Sequence, residues 1–151
     1  AHPHRFLSVT KQGVAAIVAT TGNPECHVIL RGGSSGPNYS ASHIADVAAK
    51  LEKNGLPPRV MVDCSHANSQ KSHERQADVL RDLAGQVAEG SPHIFGVMLE
   101  SFLVDGRQDH EKGKALVFGQ SITDACMGWE RTEPLFEVMA QAVRARRAKN
   151  A

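Results

Sequence analysis

The stretch RVMVDCSHANS, Arg59 to Ser69, reads as an apolar strand over Arg59–Ser65 that runs directly into a cluster of polar side chains at His66. The pattern recurs on both sides of it. CHVILRGG, residues 26–33, gives a strand over His27–Arg31 that ends in an arginine, and HIFGVMLES, residues 93–101, gives one over His93–Ser101 that closes on Glu100. Amphipathic segments separate these runs, so strands and helices alternate along the chain. Such an order implies an α/β fold with a mainly parallel sheet, because parallel neighbours need a crossover that a helix usually supplies. The sheet is either open and doubly wound or part of a barrel. In both, ligands bind at the C-terminal ends of the strands, where Arg31, His66 and Glu100 stand.

The helices have recognisable ends. Ser40 or Ser42 can cap a helix whose Ile44, Val47, Ala48 and Leu51 follow helical spacing, and Gly55 stands where such a helix stops. A second is expected from about Ser69 to Ala88, with Gly90 after it, and a third from about Thr132 to Ala148. The cluster Arg144, Arg146, Arg147 and Lys149 ends the third, where cations complement the helix dipole. Toward the N-terminus, Arg5–Thr10 reads as a strand. Val14–Thr20 reads as a short helix or, preferably, as the return strand of a hairpin turning at Lys11, Gln12 and Gly13. The opening AHPHRFLSV lacks an initiator Met and sets the expectation that the natural chain begins further upstream.

With 151 residues and 41% hydrophobic content the chain has enough material for one globular unit with a core. A formal net charge of +1 provides no field that would gather nucleic acid or an acidic membrane. No apolar run approaches the ~20 residues that cross a bilayer. The cysteines Cys26, Cys64 and Cys126 form neither a disulfide framework nor a CxxC site, which fits a reducing compartment, and the expected location is the cytoplasm.

The chemistry-bearing residues are His66, Glu100 and, further on in QSITDACMGWE, Asp124. One imidazole and two carboxylates suit a divalent metal ion such as Mn, Fe, Co or Zn. Arg31 cannot bind a cation. Its fork of donors suits a phosphate or carboxylate, and Gly32 and Gly33 let a ligand approach the backbone. Cys64 would share the strand face of His66 by alternation, which makes it a ligand or a small core filler, with the filler preferred. His2, His4, His73, His93 and His110 are read as incidental.

The blocks HVILRGG with PNYS close behind, MVDCSHANSQK, GVMLES and FGQSITDACMGWE occur in this order, and the chain resembles class I 3-deoxy-D-arabino-heptulosonate 7-phosphate (DAHP) synthases over essentially its whole length. The resemblance implies a TIM (β/α)8 barrel of which residues 1–151 supply the C-terminal half, about the last four β/α units. It also implies a transferase that joins phosphoenolpyruvate to erythrose 4-phosphate, at the first step of the shikimate pathway to aromatic amino acids. His66, Glu100 and Asp124 match the family's metal ligands. Arg31 matches an arginine that holds the phosphate of phosphoenolpyruvate, while His66 and Asp124 lie near the incoming sugar phosphate as catalytic residues that could relay protons. Phe6, Ser8 and Val18 match positions near the feedback-inhibitor site, where an aromatic amino acid would bind, with core packing the preferred role for them in this chain.

The departures are an extra residue in GGSSGPNYS and Cys64 where some members carry Phe. The family's metal-binding cysteine, its KPRT segment and its further phosphoenolpyruvate cations belong to the first half of the barrel and do not occur in this sequence, so Cys26 and Cys126 receive no such role. The expected partners are therefore the two substrates, an N-terminal half and further copies of the chain. Two rivals remain: a non-catalytic half-barrel or regulatory module that binds an aromatic amino acid or a partner chain, and an unrelated metal hydrolase with Glu130 or Asp63 as base.

Overall fold

The computed structural model describes residues 2–149. Before any sheet of the core begins, β1 (Arg5–Val9) and β2 (Ala15–Ala19) pair antiparallel, with Phe6 opposite Val18 and Leu7 opposite Ile17. The turn closes through a hydrogen bond from Thr10 N to Val14 O and uses Gly13 at φ 79°. The hairpin reading of Val14–Thr20 therefore holds. This ribbon is apolar on both faces: Leu7 and Ile17 on one are 77% and 75% exposed.

The next three strands form the core sheet. β3 (Val28–Leu30), then α1 (Ala41–Lys53), β4 (Val60–Asp63), α2 (Gln76–Glu89) and β5 (Ile94–Met98) follow in sequence, and the strands lie parallel in the order β3-β4-β5. Three strands join this sheet, not four. The expectation of about four β/α units exceeds this by one: Arg5–Val9, with only a turn to follow, pairs with its immediate neighbour instead.

On one face of the sheet Leu30, Val60, Val62 and Ile94 are buried against Ile44 and Ala48 of α1 and Leu80, Leu83 and Val87 of α2. Burying each such aliphatic side chain is worth about 1.5–3 kcal/mol relative to leaving it in water, which anchors both helices to the strands. Ile29, paired with Met61, carries the opposite face and stays 42% exposed. Phe95, also exposed, is the extra residue at a bulge between the pairs Val60/Ile94 and Met61/Gly96.

Helix ends follow local chemistry. Ser40 Oγ accepts from His43 N at the start of α1, and Gly90 ends α2 in the left-handed region at φ 119°. The second helix begins at Gln76, seven residues later than Ser69. Residues 66–71 are held instead by short turns, including Lys71 N to His66 O at 2.7 Å, with His66, Gln70 and Lys71 at φ 52°, 54° and 62°. Ser and Asn side chains that bond nearby backbone offer the chain an alternative to helix, and here that alternative wins.

After β5 come β6 (Ser101–Phe102), β7 (Val104–Arg107), β8 (Gln120–Ser121), β9 (Met127–Gly128) and α3 (Trp129–Lys149). The expected strand His93–Ser101 is thus split after Met98. β6 pairs with β9 and β7 with β8, both parallel, so the excursion between Leu103 and Cys126 returns to the end of β5. Gln108 ties its loop by bonding Val117 through both amide atoms and Gln120 O through Nε2. α3 packs along α2, placing Leu135 and Ala142 in the same core.

Candidate metal centre

Each C-terminal strand end delivers one polar side chain to a single cleft. Arg31 follows β3, His66 lies three residues past β4, Glu100 lies two past β5, and Asp124 comes from the loop between β8 and β9. The cleft has a volume of about 270 Å³ and is lined by all four, with Lys71 and His73 at its rim. One donor atom each from His66, Glu100 and Asp124 lies within 4.8 Å of the others.

The imidazole is held in one orientation. His66 Nδ1 lies 2.8 Å from Asp63 Oδ2, and Asp63 is 3% exposed. The other oxygen, Oδ1, accepts from Ser65 N at 2.8 Å and from Ser65 Oγ at 2.5 Å. Because the Asp63 carboxylate can only accept, Nδ1 is the ring nitrogen that donates to it, and Nε2 is the one turned toward the cleft. Nε2 faces Glu100, 3.6 Å from Oε1. Such a carboxylate behind a histidine fixes its tautomer and raises its basicity toward a metal.

The carboxylates themselves lack protein donors. Among the described residues no hydrogen bond reaches the side chain of Glu100 or Asp124. The Glu100 carboxyl is pushed above its ordinary range, first by burial and also by the Asp124 and Asp63 carboxylates, while His66 and Arg31 oppose the rise. One imidazole nitrogen and two carboxylates facing one another fit a divalent cation with mixed nitrogen and oxygen ligands.

Buried amides join the strand ends. Asn68, 3% exposed, donates through Nδ2 to Leu30 O at 3.1 Å and Asp63 O at 2.7 Å, tying the end of β3 to the end of β4. Its Oδ1 accepts from Asn38 N, and Asn38 Oδ1 accepts from Gly32 N at 2.7 Å. Gly32, at φ 71°, packs so closely on this loop that an added Cβ would lie 2.7 Å from Ala67 Cβ. The segment that carries Arg31 is therefore locked against the segment that carries His66.

The sequence profile described as the DAHP synthetase I family matches residues 1–137. The chain belongs to that family. It is 59% identical over 145 residues to phospho-2-dehydro-3-deoxyheptonate aldolase of Haemophilus influenzae, covering 96% of this chain and 40% of that protein. Against the Phe-sensitive aldolase of the same name from Escherichia coli K12 the identity is 57%, over 96% of this chain and 41% of the relative. The solved structure of the aldolase from Francisella tularensis SCHU S4 superposes with a TM-score of 0.86 at 52% identity, covering 95% of this chain and 42% of that one. The chain thus spans about 40% of the length of the curated relatives it matches.

Within this DAHP synthetase I chain, all four residues singled out for the cleft meet there, and Phe6, Ser8 and Val18 share one face of the β1–β2 hairpin by their register. Cys64 is fully buried and lies outside the ligand group, as the preferred reading of a small core filler expects, because the chain leaves the strand after Asp63 and alternation no longer relates Cys64 to His66. Other expectations change. Asp63 is engaged by His66 and Ser65 and is not a free base, and Glu130 sits exposed on the first turn of α3. His73, read as incidental, lines the cleft with Lys71 and Gln76. No periodicity marks these three, since their placement depends on the turns of residues 66–75. The run of non-glycine residues in left-handed conformation, a common mark of functional loops, becomes visible only with the backbone.

Proposed function

We propose that residues 1–151 act as the C-terminal half of a DAHP synthase (β/α)8 barrel, in an enzyme that condenses phosphoenolpyruvate with erythrose 4-phosphate and releases phosphate. The observation that carries this reading is the meeting of His66, Glu100 and Asp124 within 4.8 Å in a cleft shared with Arg31, in a chain of the DAHP synthetase I family. His66, Glu100 and Asp124 are the proposed ligands of a divalent ion, Mn, Fe, Co or Zn. Such an ion supplies Lewis acidity toward the sugar aldehyde and a template for the two substrates.

The chain's own residues do the rest of the work assigned here. Arg31 presents a planar fork that matches two oxygens of the phosphoenolpyruvate phosphate, with Gly32 held so that the backbone stays close. By fixing the phosphate it restricts the approach of C3 of phosphoenolpyruvate to the aldehyde, a contribution through positioning. Asp124, beside the incoming aldehyde and with a second carboxylate oxygen, is the group proposed to move a proton, while His66, with Nδ1 on Asp63 and Nε2 toward the ion, orients the centre. Asp63 keeps the His66 hydrogen on Nδ1 and so keeps Nε2 directed at the centre.

The remaining site and partner assignments follow from the same reading. Phe6 and Val18, opposite one another, with Ser8 two residues along, offer an apolar face with one hydroxyl to an aromatic amino acid inhibitor. The exposed Ile29 and Phe95 and the unpaired outer edges of β3 and β5 call for an N-terminal half and for further copies of the chain. Among the described residues no helix is long and apolar enough to cross a membrane. The proposed location, from the family reading, is the cytoplasm.

The test is DAHP formation with added Mn²⁺ by the purified chain alone and after mixing with the N-terminal half of a relative. Activity only on mixing is expected. Turnover by the 151-residue chain alone at the rate of an ordinary enzyme, or none in any mixture despite folded partners, would contradict the division of labour.

A further inference from the structure

The parallel ladder between β4 and β5 ends at the pair Asp63/Met98, extended by one hydrogen bond from Cys64 N to Met98 O at 2.9 Å. Glu100 lies beyond it, where no neighbouring strand fixes its direction on the β4 side. The side chain of Gln76 takes that place. Its Oε1 accepts from Glu100 N at 2.8 Å, and its Nε2 donates to Glu100 O at 3.2 Å. Glu100 O also accepts from Met127 N of β9 at 2.9 Å, so both peptide groups of this residue are held. Gln76 is 1% exposed and is the first residue of α2, whose attachment to the core is carried by Leu80, Leu83 and Val87.

From this geometry we infer that Gln76 is a positioning residue: its amide acts as a one-residue strand that sets the direction in which the Glu100 carboxylate leaves the backbone, and thereby the metal affinity of the His66, Glu100 and Asp124 group. The inference rests on the reading of that group as a metal centre. A primary amide is the side-chain group that offers a donor and an acceptor side by side, matching a peptide unit in the same way that a paired strand does. An ionised Glu would offer acceptors alone, and Leu would offer neither. Leu leaves Glu100 N without a partner, and Glu sets a carboxylate oxygen against Glu100 O, which keeps only Met127 N as a donor; the cheapest relief in either is a rotation of that backbone, which moves the carboxylate. Among the described residues the Gln76 side chain bonds to nothing else, so its hydrogen bonds act on the ligand-bearing residue alone.

The experiment is Mn²⁺ titration of the 151-residue chain, with free Mn²⁺ read by electron paramagnetic resonance, alongside thermal unfolding without metal. Three variants are compared with the parent: Gln76→Leu, Gln76→Glu and Leu83→Ala. The last opens a cavity in the same helix and is fully buried, away from the cleft. Gln76→Leu is expected to weaken Mn²⁺ binding by about 10–100-fold, the usual range for removing a group that orients a ligand. Gln76→Glu, which keeps an acceptor for Glu100 N, is expected to lose less, and Leu83→Ala to lower the unfolding temperature while keeping Mn²⁺ affinity. If Gln76→Leu does not fold, the Glu variant decides. Parent-like affinity in the folded Gln76 variants, or an equal loss in Leu83→Ala, would overturn the positioning role and leave the metal centre standing. A parent chain that binds no Mn²⁺ would overturn the metal reading and this inference with it.

Discussion

Gly32 is a residue whose replacement should be felt out of proportion to its size. A Cβ there would lie 2.7 Å from Ala67 Cβ and 2.9 Å from both Ala67 C and Asn68 N, two of them backbone atoms that cannot swing aside, and φ is 71°. Gly32→Ala is therefore expected to cost about 1–3 kcal/mol through overpacking, read by urea unfolding, while Gly33→Ala, which meets nothing within 4 Å, should cost less. Cys64 supplies a pH signature. Burial, reinforced by the Asp63 charge, pushes its thiol from 9.0 up to about 12. The unfolded chain then gives up this proton near pH 9 while the folded chain keeps it, so the contribution is whole below pH 9 and is lost as pH rises toward 12. Stability should fall across that window, and the fall should be shallower in Cys64→Ala. Equal slopes in the two proteins would count against it. Arg31, His66, Glu100 and Asp124 were legible in the sequence because each closes an apolar run or sits in a long motif. Asn68 and Gln76 were not, because a side chain that bonds backbone far along the chain leaves no periodic trace; Asp63, read only as a possible base, instead holds the His66 ring three residues on.

At the level of elements, the strands around VIL, VMVD and IFGVM and the helix capped by Ser40 could be read from apolar runs and cap residues, since propensity and packing agree there. The second helix shows where such reading stops. Its apolar positions Val79, Leu80, Leu83 and Val87 were correctly periodic, but its start was set by side-chain hydrogen bonds in SHANSQKS rather than by helix propensity. The short pairs β6–β9 and β7–β8 escaped notice for another reason. Pairings such as Ser101–Phe102 with Met127–Gly128 are too brief to show any period, and their partners lie far apart in the chain. They bring Asp124 back to the end of β5, so an element invisible in the sequence supplies the last ligand of the proposed centre.

The molecule as a whole carries apolar surface on its open sides. Ile29, Phe95 and the hairpin residues Leu7 and Ile17 are exposed, and among the described residues β3 and β5 each leave an outer edge without a partner strand in the core sheet. Exposed edges and apolar faces favour association, so sedimentation of the purified chain should give a mass above 16.2 kDa that grows with concentration. A chain that stays monomeric at all concentrations would argue that these faces need no cover. The central claim remains the placement of a divalent ion by this chain, and anomalous diffraction from crystals grown with Zn²⁺ tests it most directly. The account predicts a peak bonded by His66 Nε2 and by Glu100 and Asp124 oxygens at about 2.0–2.2 Å, the ordinary zinc distances. A peak held by other residues, or fully loaded crystals with no ion between these three, would contradict it.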